Sequence, residues 1–213
     1  MCALTTNPAS PPKLKVHTAA HQPDSQCLQK MLSQNPILHE ILMRFEEVNL
    51  PNAYLVAGCI AQTIWNITLG KVPNENLSDI DIIYFDDTDL SPDSEKHHEH
   101  RLHTLFENVL SPHKLQLDVK NEARVHLWYK SKFGFDIPPY TSAHHAIECF
   151  PSTATCIGVR TTRGLFEYYA PYGTDDLFAL TARANKAQIT KDVYEAKTAR
   201  WSKAWPKLTI IPW

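Results

Sequence analysis

Ser78-Asp79-Ile80-Asp81-Ile82-Ile83-Tyr84-Phe85 sets two carboxylates, one residue apart, at the head of an apolar run. A run this rich in β-branched and aromatic residues reads as a strand, and alternate side chains of a strand share a face. Asp79 and Asp81 are therefore expected to project from the same side. Two ionised carboxylates held so close repel each other, and a shared divalent cation relieves that repulsion. The pattern points to Mg²⁺ (or Mn²⁺) and to chemistry on phosphates.

The rest of the chain alternates helix and strand signals. Ile37, Leu38, Ile41, Leu42 and Phe45 recur at helical spacing behind Pro36, a suitable first helical residue. Ala53 to Ala57 reads as a short buried strand broken by Gly58, followed by a helix from Ile60 to Leu69 that Gly70 closes. Ser91 and Pro92 look like an N-cap and first turn, with Asp93 and Glu95 near the positive end of the helix dipole; Leu102, Leu105, Phe106 and Val109 form its apolar stripe. Lys114 to Val119 reads as a third strand, and residues 121–132 and 142–149 as helices around the Pro138-Pro139 break. Thr155–Arg160 and Leu165–Tyr169 flank Thr162-Arg163-Gly164 as a hairpin, and Asp175–Leu180 reads as a helical turn. Thr190 opens a last helix that ends before Pro206 and carries Val193, Tyr194, Trp201 and Trp205 toward its buried side. Residues 1–26, rich in Pro, Ser, Thr and Ala without hydrophobic period, read as a flexible N-terminal segment, leaving 27–213 as a single domain.

Composition narrows the function classes. A net charge of −2 gives no global basic signature for nucleic acid or for a membrane surface. No run approaches the ~18 apolar residues of a membrane span, and no basic-then-apolar leader opens the chain. The five cysteines are odd in number and form no C-x-x-C pair, which speaks against a disulfide framework or a zinc module. A cytoplasmic protein is expected, in which the sequons at Asn66 and Asn76 carry no weight.

Three further places bear on the chemistry. Asp118, in Leu115-Gln116-Leu117-Asp118-Val119, is a third carboxylate on a separate apolar strand, and it can complete a metal shell and help deprotonate an attacking hydroxyl. Gly58-Cys59 lies between a strand and a helix, where free N–H groups and the dipole bind anions and glycine allows close approach; the plain alternative is a turn without a ligand. Cys59 itself is expected to pack rather than attack. Lys120, Asn121 and Arg124 can hold triphosphate oxygens or the acceptor, or simply form a solvated helix start. His97, His98, His100 and His103 wander around a helix and read as a solvated face, and Asp86, Asp87 and Asp89 as a turn with helix-start charge.

With Gly58-Cys59, Asp79/Asp81 and Asp118 in this order, the chain resembles the nucleotidyltransferase superfamily that includes DNA polymerase β, poly(A) polymerases and aminoglycoside nucleotidyltransferases. More closely it resembles an uncharacterised nucleotidyltransferase-like family. That likeness runs through Gly58 to Asn66, Ser78 to Asp81, Leu117 to His126, Tyr169 to Gly173 with Asp175 to Phe178, and Trp201 with Trp205-Pro206. In haloacid-dehalogenase-type phosphatases and many glycosyltransferases the apolar strand precedes the D-x-D, whereas here it follows, as in nucleotidyltransferases. Cys59 stands where catalytic members usually carry Gly or Ser, and the spacer over residues 60–78 is longer than usual.

The resemblance implies a minimal nucleotidyltransferase fold, α/β (α+β), with a mixed sheet flanked by helices and residues 138–213 as a C-terminal α/β extension lining the cleft. It implies that Asp79, Asp81 and Asp118 hold Mg²⁺ on the phosphates of an NTP and carry the catalysis. Gly58, Cys59, Ser78, Lys120, Asn121 and Arg124 would then bind the nucleotide. The expected reaction moves a nucleoside monophosphate to an unknown acceptor hydroxyl (on a small molecule, RNA or protein), with release of pyrophosphate. An inactive nucleotide-binding or interaction module of the same fold is the alternative, and a metal-dependent phosphohydrolase a third reading.

Overall fold

A computed structural model describes residues 22–213. The flexible lead-in expected over 1–26 thus lies mostly outside the described residues, but its last part, from Gln22, belongs to α1 (Gln22–Leu32). Leu28 and Leu32 of that helix are fully buried, and it is this burial that holds the segment in place. α2 (Pro36–Met43) follows, capped by Asn35, whose side chain accepts from the N–H groups of Ile37 and Leu38 while its amide donates to Thr63 at 2.8 Å.

β1 (Tyr54–Val56) runs straight into α3 (Gly58–Thr68), two residues earlier than the expected helix start. β2 (Asp79–Tyr84) leads through α4 (Pro92–Leu110) to β3 (Gln116–Asn121). Ser91 caps α4 as expected, accepting from the N–H of Ser94 at 3.2 Å. The expected 121–132 helix is shorter: Asn121 still belongs to β3, a 3-10 turn covers Glu122–Arg124, and α5 spans His126–Phe133. α6 (Ala143–Glu148), the hairpin β4 (Gly158–Thr162) and β5 (Leu165–Tyr169), and α7 (Asp175–Phe178) come next. A small parallel pair, β6 (Thr181–Ala182) and β7 (Thr209–Ile210), brackets α8 (Lys191–Ala204).

The main sheet has the order β3-β2-β1-β4-β5. β2 and β3 are parallel, joined by the α4 crossover, and the other neighbours are antiparallel, so the sheet is mixed. Alternation divides its faces. Leu55, Ile80, Ile82, Tyr84, Leu117, Val119 and Val159 enter the main core with Ile60, Ile64, Leu102 and Phe106. Tyr54, Val56 and Ile83 point the other way and meet Ala143 and Ile147 of α6. Gly158 permits that cover: a Cβ there would stand 2.8 Å from Cδ1 of Ile147 and 3.2 Å from Cβ of Tyr54. α6 covers only part of this second face, and the remainder, carrying Asp81 and Asp118, is open.

The C-terminal helix is locked to α3 by aromatic packing. The fully buried Trp65 meets the rings of Trp201 and Trp205 edge to face at 5.6 and 5.5 Å, and Trp205 donates its indole N–H to Asn66 Oδ1 at 2.7 Å. Asn66, the first sequon residue, is wholly buried by these contacts. Among the described residues, no helix is long and apolar enough to cross a membrane.

Candidate active site

The sheet register brings the expected carboxylates to one face. Asp81 is the Cα partner of Asp118 across the parallel β2–β3 pair, and Asp79 precedes Asp81 by one alternation of the strand. Asp81 keeps part of its surface open, yet its carboxyl pKa is pushed up to about 7, first by burial and then by the charges of Asp79 and Asp118. The neighbours have local partners. Asp79 accepts the Ser78 hydroxyl at 2.6 Å, and Asp118 is ion-paired with the ammonium of Lys120, two residues along the same strand face. Lys120 also reaches Glu99 at 3.2 Å.

The β1–α3 junction adjoins Asp81, because Val56 is the antiparallel partner of Asp81. Ala57 makes the turn with φ 59° and ψ −120°, a conformation an L residue adopts only under strain. That turn starts α3 at Gly58, and among the described residues no side chain caps its first N–H groups, so they remain available to an anion. Cys59 is buried, donates its thiol to the Val56 carbonyl at 3.3 Å, and has its pKa pushed up by burial and by Asp81. It packs, as expected from the sequence, and only its backbone is offered to a ligand.

Two joined clefts open on this face. One, of about 180 Å³, is lined by Ala57, Asp81, Asp118, Lys120 and Glu122 among others. The second, of about 190 Å³, shares Lys120, Glu122, Phe150 and Pro151 with the first and continues between α5 and α8. Residues from the C-terminal part, Phe150, Pro151, Gln188 and Lys197, therefore form the facing wall.

Not every expected residue reaches the clefts. Asn121 is fully buried and staples the 86–89 turn, bonding the backbone of Asp86 in both directions and the carbonyl of Asp89. Arg124 donates to Glu95 at 2.7 Å and to the Leu90 carbonyl, a nearly buried pair turned away from both clefts. Glu95 lies in the first turn of α4, as expected, with its carboxylate drawn into the interior. Ser78 touches the site only through Asp79. His97, His100 and His103 are exposed as expected, while His98 packs edge-on against Tyr84.

Two residues outside the sequence expectations do reach the site. Glu122 is 7% exposed, and its carboxyl pKa is pushed up to about 8 by burial and by the charges of Glu95, Asp81 and Asp118. Lys197 of α8 faces Asp81 and Asp79; burial and Arg200 lower its pKa against the pull of those two acids. The signal for Lys197 was its place between Val193 and Trp201 at i±4, a charge within an apolar helical stripe.

The donor set suits a hard divalent cation. Three carboxylates from two neighbouring strands share one sheet face, and Asp81 carries an electrostatic deficit that a cation would offset. Among the described residues no three potential ligands stand close enough to share an ion as they lie, since Asp118 is turned to Lys120 and Asp79 to Ser78. Side-chain rotation about the fixed strand positions would be needed.

No curated protein matches the chain. One solved structure that matches, determined by NMR and described as revealing a CCA-adding enzyme head domain, is 25% identical, with a TM-score of 0.70 over 88% of this chain and 96% of that one. Its agreement with a mixed sheet flanked by helices establishes the nucleotidyltransferase head-domain fold. A family model described as nucleotidyltransferase matches residues 43–210, a span that includes every carboxylate of the cleft, and the chain belongs to this nucleotidyltransferase family.

Proposed function

We propose that the protein transfers a nucleoside monophosphate from an NTP to an acceptor hydroxyl and releases pyrophosphate. The observation that carries this reading is the register that sets Asp81 beside Asp118 next to the uncapped start of α3. The N–H groups of Gly58 and Cys59 receive phosphate oxygens, and Lys120 and Lys197 neutralise part of their charge. Asp79, Asp81 and Asp118 would hold Mg²⁺ or Mn²⁺, which would supply charge neutralisation at the phosphates. Asp118, released from Lys120 as that ammonium turns to phosphate, accepts the acceptor's hydroxyl proton. The oxygen bonds the α-phosphorus, and the bond from that phosphorus to the bridging oxygen breaks, leaving its electron pair on pyrophosphate.

The family match and the head-domain likeness support nucleotidyl transfer as the reaction class. Pyrophosphate release from each of the four NTPs with Mg²⁺, in the presence of candidate hydroxyl acceptors, tests it; Asp81→Asn should abolish the release. A second reading, a nucleotide-binding module without turnover, is favoured by one observation, the ion pair that occupies Asp118. Nucleotide binding without any pyrophosphate release, from wild type and with every acceptor tried, would favour that module.

A further inference from the structure

Apart from Lys120 and Lys197 at its edge, the second cleft has no part in the phosphate chemistry, yet it opens directly from the first. Its walls are aromatic, with Trp128, Tyr129 and Phe133 on α5 and Tyr140 beyond it. Phe150 and Pro151 belong to both clefts, so a ligand with phosphates at the start of α3 extends past them into the second. At the junction stands Glu122, more than nine-tenths buried, whose carboxyl group makes no hydrogen bond or ion pair with any described residue. A buried carboxyl group without a partner is costly, and a ligand that supplies hydrogen bonds removes that cost. Across the cleft, Gln188 is held by the Tyr140 hydroxyl at 2.7 and 2.9 Å, which fixes its amide in place.

We propose that this cleft seats the nucleobase of the nucleotide, stacked against the α5 aromatics, with Glu122 as the residue that reads the edge of the base. The inference rests on the nucleotidyl-transfer reading of the neighbouring carboxylates. A base is a planar ring joined through its sugar to the α-phosphate, so it must lie next to the phosphate cleft, on a π-surface where one is offered. The lysines fit the same orientation. Lys120 and Lys197 line this cleft and also face the aspartates, at the end where a sugar would meet phosphates.

The test compares Mg²⁺-NTP with Mg²⁺-tripolyphosphate, which has the phosphates and lacks the base, by isothermal titration of the full chain. Wild type should bind at least one NTP about tenfold more tightly than tripolyphosphate. Trp128→Ala should lower that ratio about tenfold, and Val193→Trp, which fills the cleft from α8, should lower it independently should the first variant fold poorly. Glu122→Gln should change the ranking of the four NTPs. Equal affinity for NTP and tripolyphosphate in wild type would overturn the base seat while leaving the phosphate reading intact. Variants that weaken both ligands alike would also overturn it. Binding of neither ligand would overturn the seat and the nucleotidyl-transfer reading together.

Discussion

Asp81→Asn should stabilise the metal-free protein, and its pH dependence is set by the site. The Asp81 carboxyl group rises from 3.8 to about 7 because it is crowded by protein and faces Asp79 and Asp118. Between those two pH values the native state keeps a proton that the unfolded chain has released, so stability falls as pH rises through the window. At about 1.36 kcal/mol per pH unit, the ceiling on this loss is about 4 kcal/mol. Water in the cleft screens the repulsion, and about half of that ceiling is the expected effect. Urea unfolding of both proteins in EDTA measures it. At pH 8 the asparagine variant should be more stable by about 2 kcal/mol, with the gap narrowing by more than half at pH 5. Mg²⁺ with an NTP should stabilise wild type far more than the variant, closing the gap at pH 8. A variant no more stable than wild type at pH 8, or a gain independent of pH, would refute the reasoning.

Ala57→Gly should raise stability by about 1 kcal/mol in denaturant melts, because glycine adopts the φ 59°, ψ −120° turn without a Cβ clash. Arg124→Ala should cost about 3 kcal/mol by leaving the Glu95 charge buried without its ion pair, with only the Asn121 N–H as partner, while the folded fraction keeps its pyrophosphate release, since Arg124 is turned away from both clefts. Asn66→Ala should cost about 2–3 kcal/mol, because Asn66 serves the carbonyls of Pro73 and Glu75 as well as the Trp205 indole, and tryptophan fluorescence should report the loosened α8. Alkylation of the native protein should label the exposed Cys27 well before the buried Cys59 and Cys156, whose thiol pKa values burial raises, as peptide mass spectrometry would show.

Local chemistry settled much of this protein. The alternation in Asp79–Tyr84 placed both acids on one face, the Ser91-Pro92 pair started α4, and Gly58 marked the passage from strand to helix. The order of Gly58, Asp79/Asp81 and Asp118 pointed to the nucleotidyltransferase superfamily, and the blocks from Gly58 to Pro206 to a nucleotidyltransferase-like family, which the match over residues 43–210 bears out. All of these depend on residues a few positions apart, whose relation the backbone period dictates. Errors fell where a segment's partner was distant. Residues 22–26 read as flexible because their own sequence cannot stabilise a helix, yet they open α1, which the core holds by burying Leu28 and Leu32.

Only the tertiary structure decided how the site is filled. The pairing of Asp81 with Asp118 requires the α4 crossover to bring β3 parallel to β2 in one register, and a shift by one residue would have sent Asp118 to the opposite face. Asn121, three residues after Asp118 on β3, points to the opposite face of the sheet and reaches the 86–89 turn, and the 3-10 turn that follows carries Arg124 to Glu95. Glu122 and Lys197, far apart in the chain, converge on the clefts because Trp65, Trp201 and Trp205 clamp α8 to α3. Side-chain period is a local property legible in a sequence. Which charges face one another across a cleft depends on long-range packing, and no local pattern encodes that.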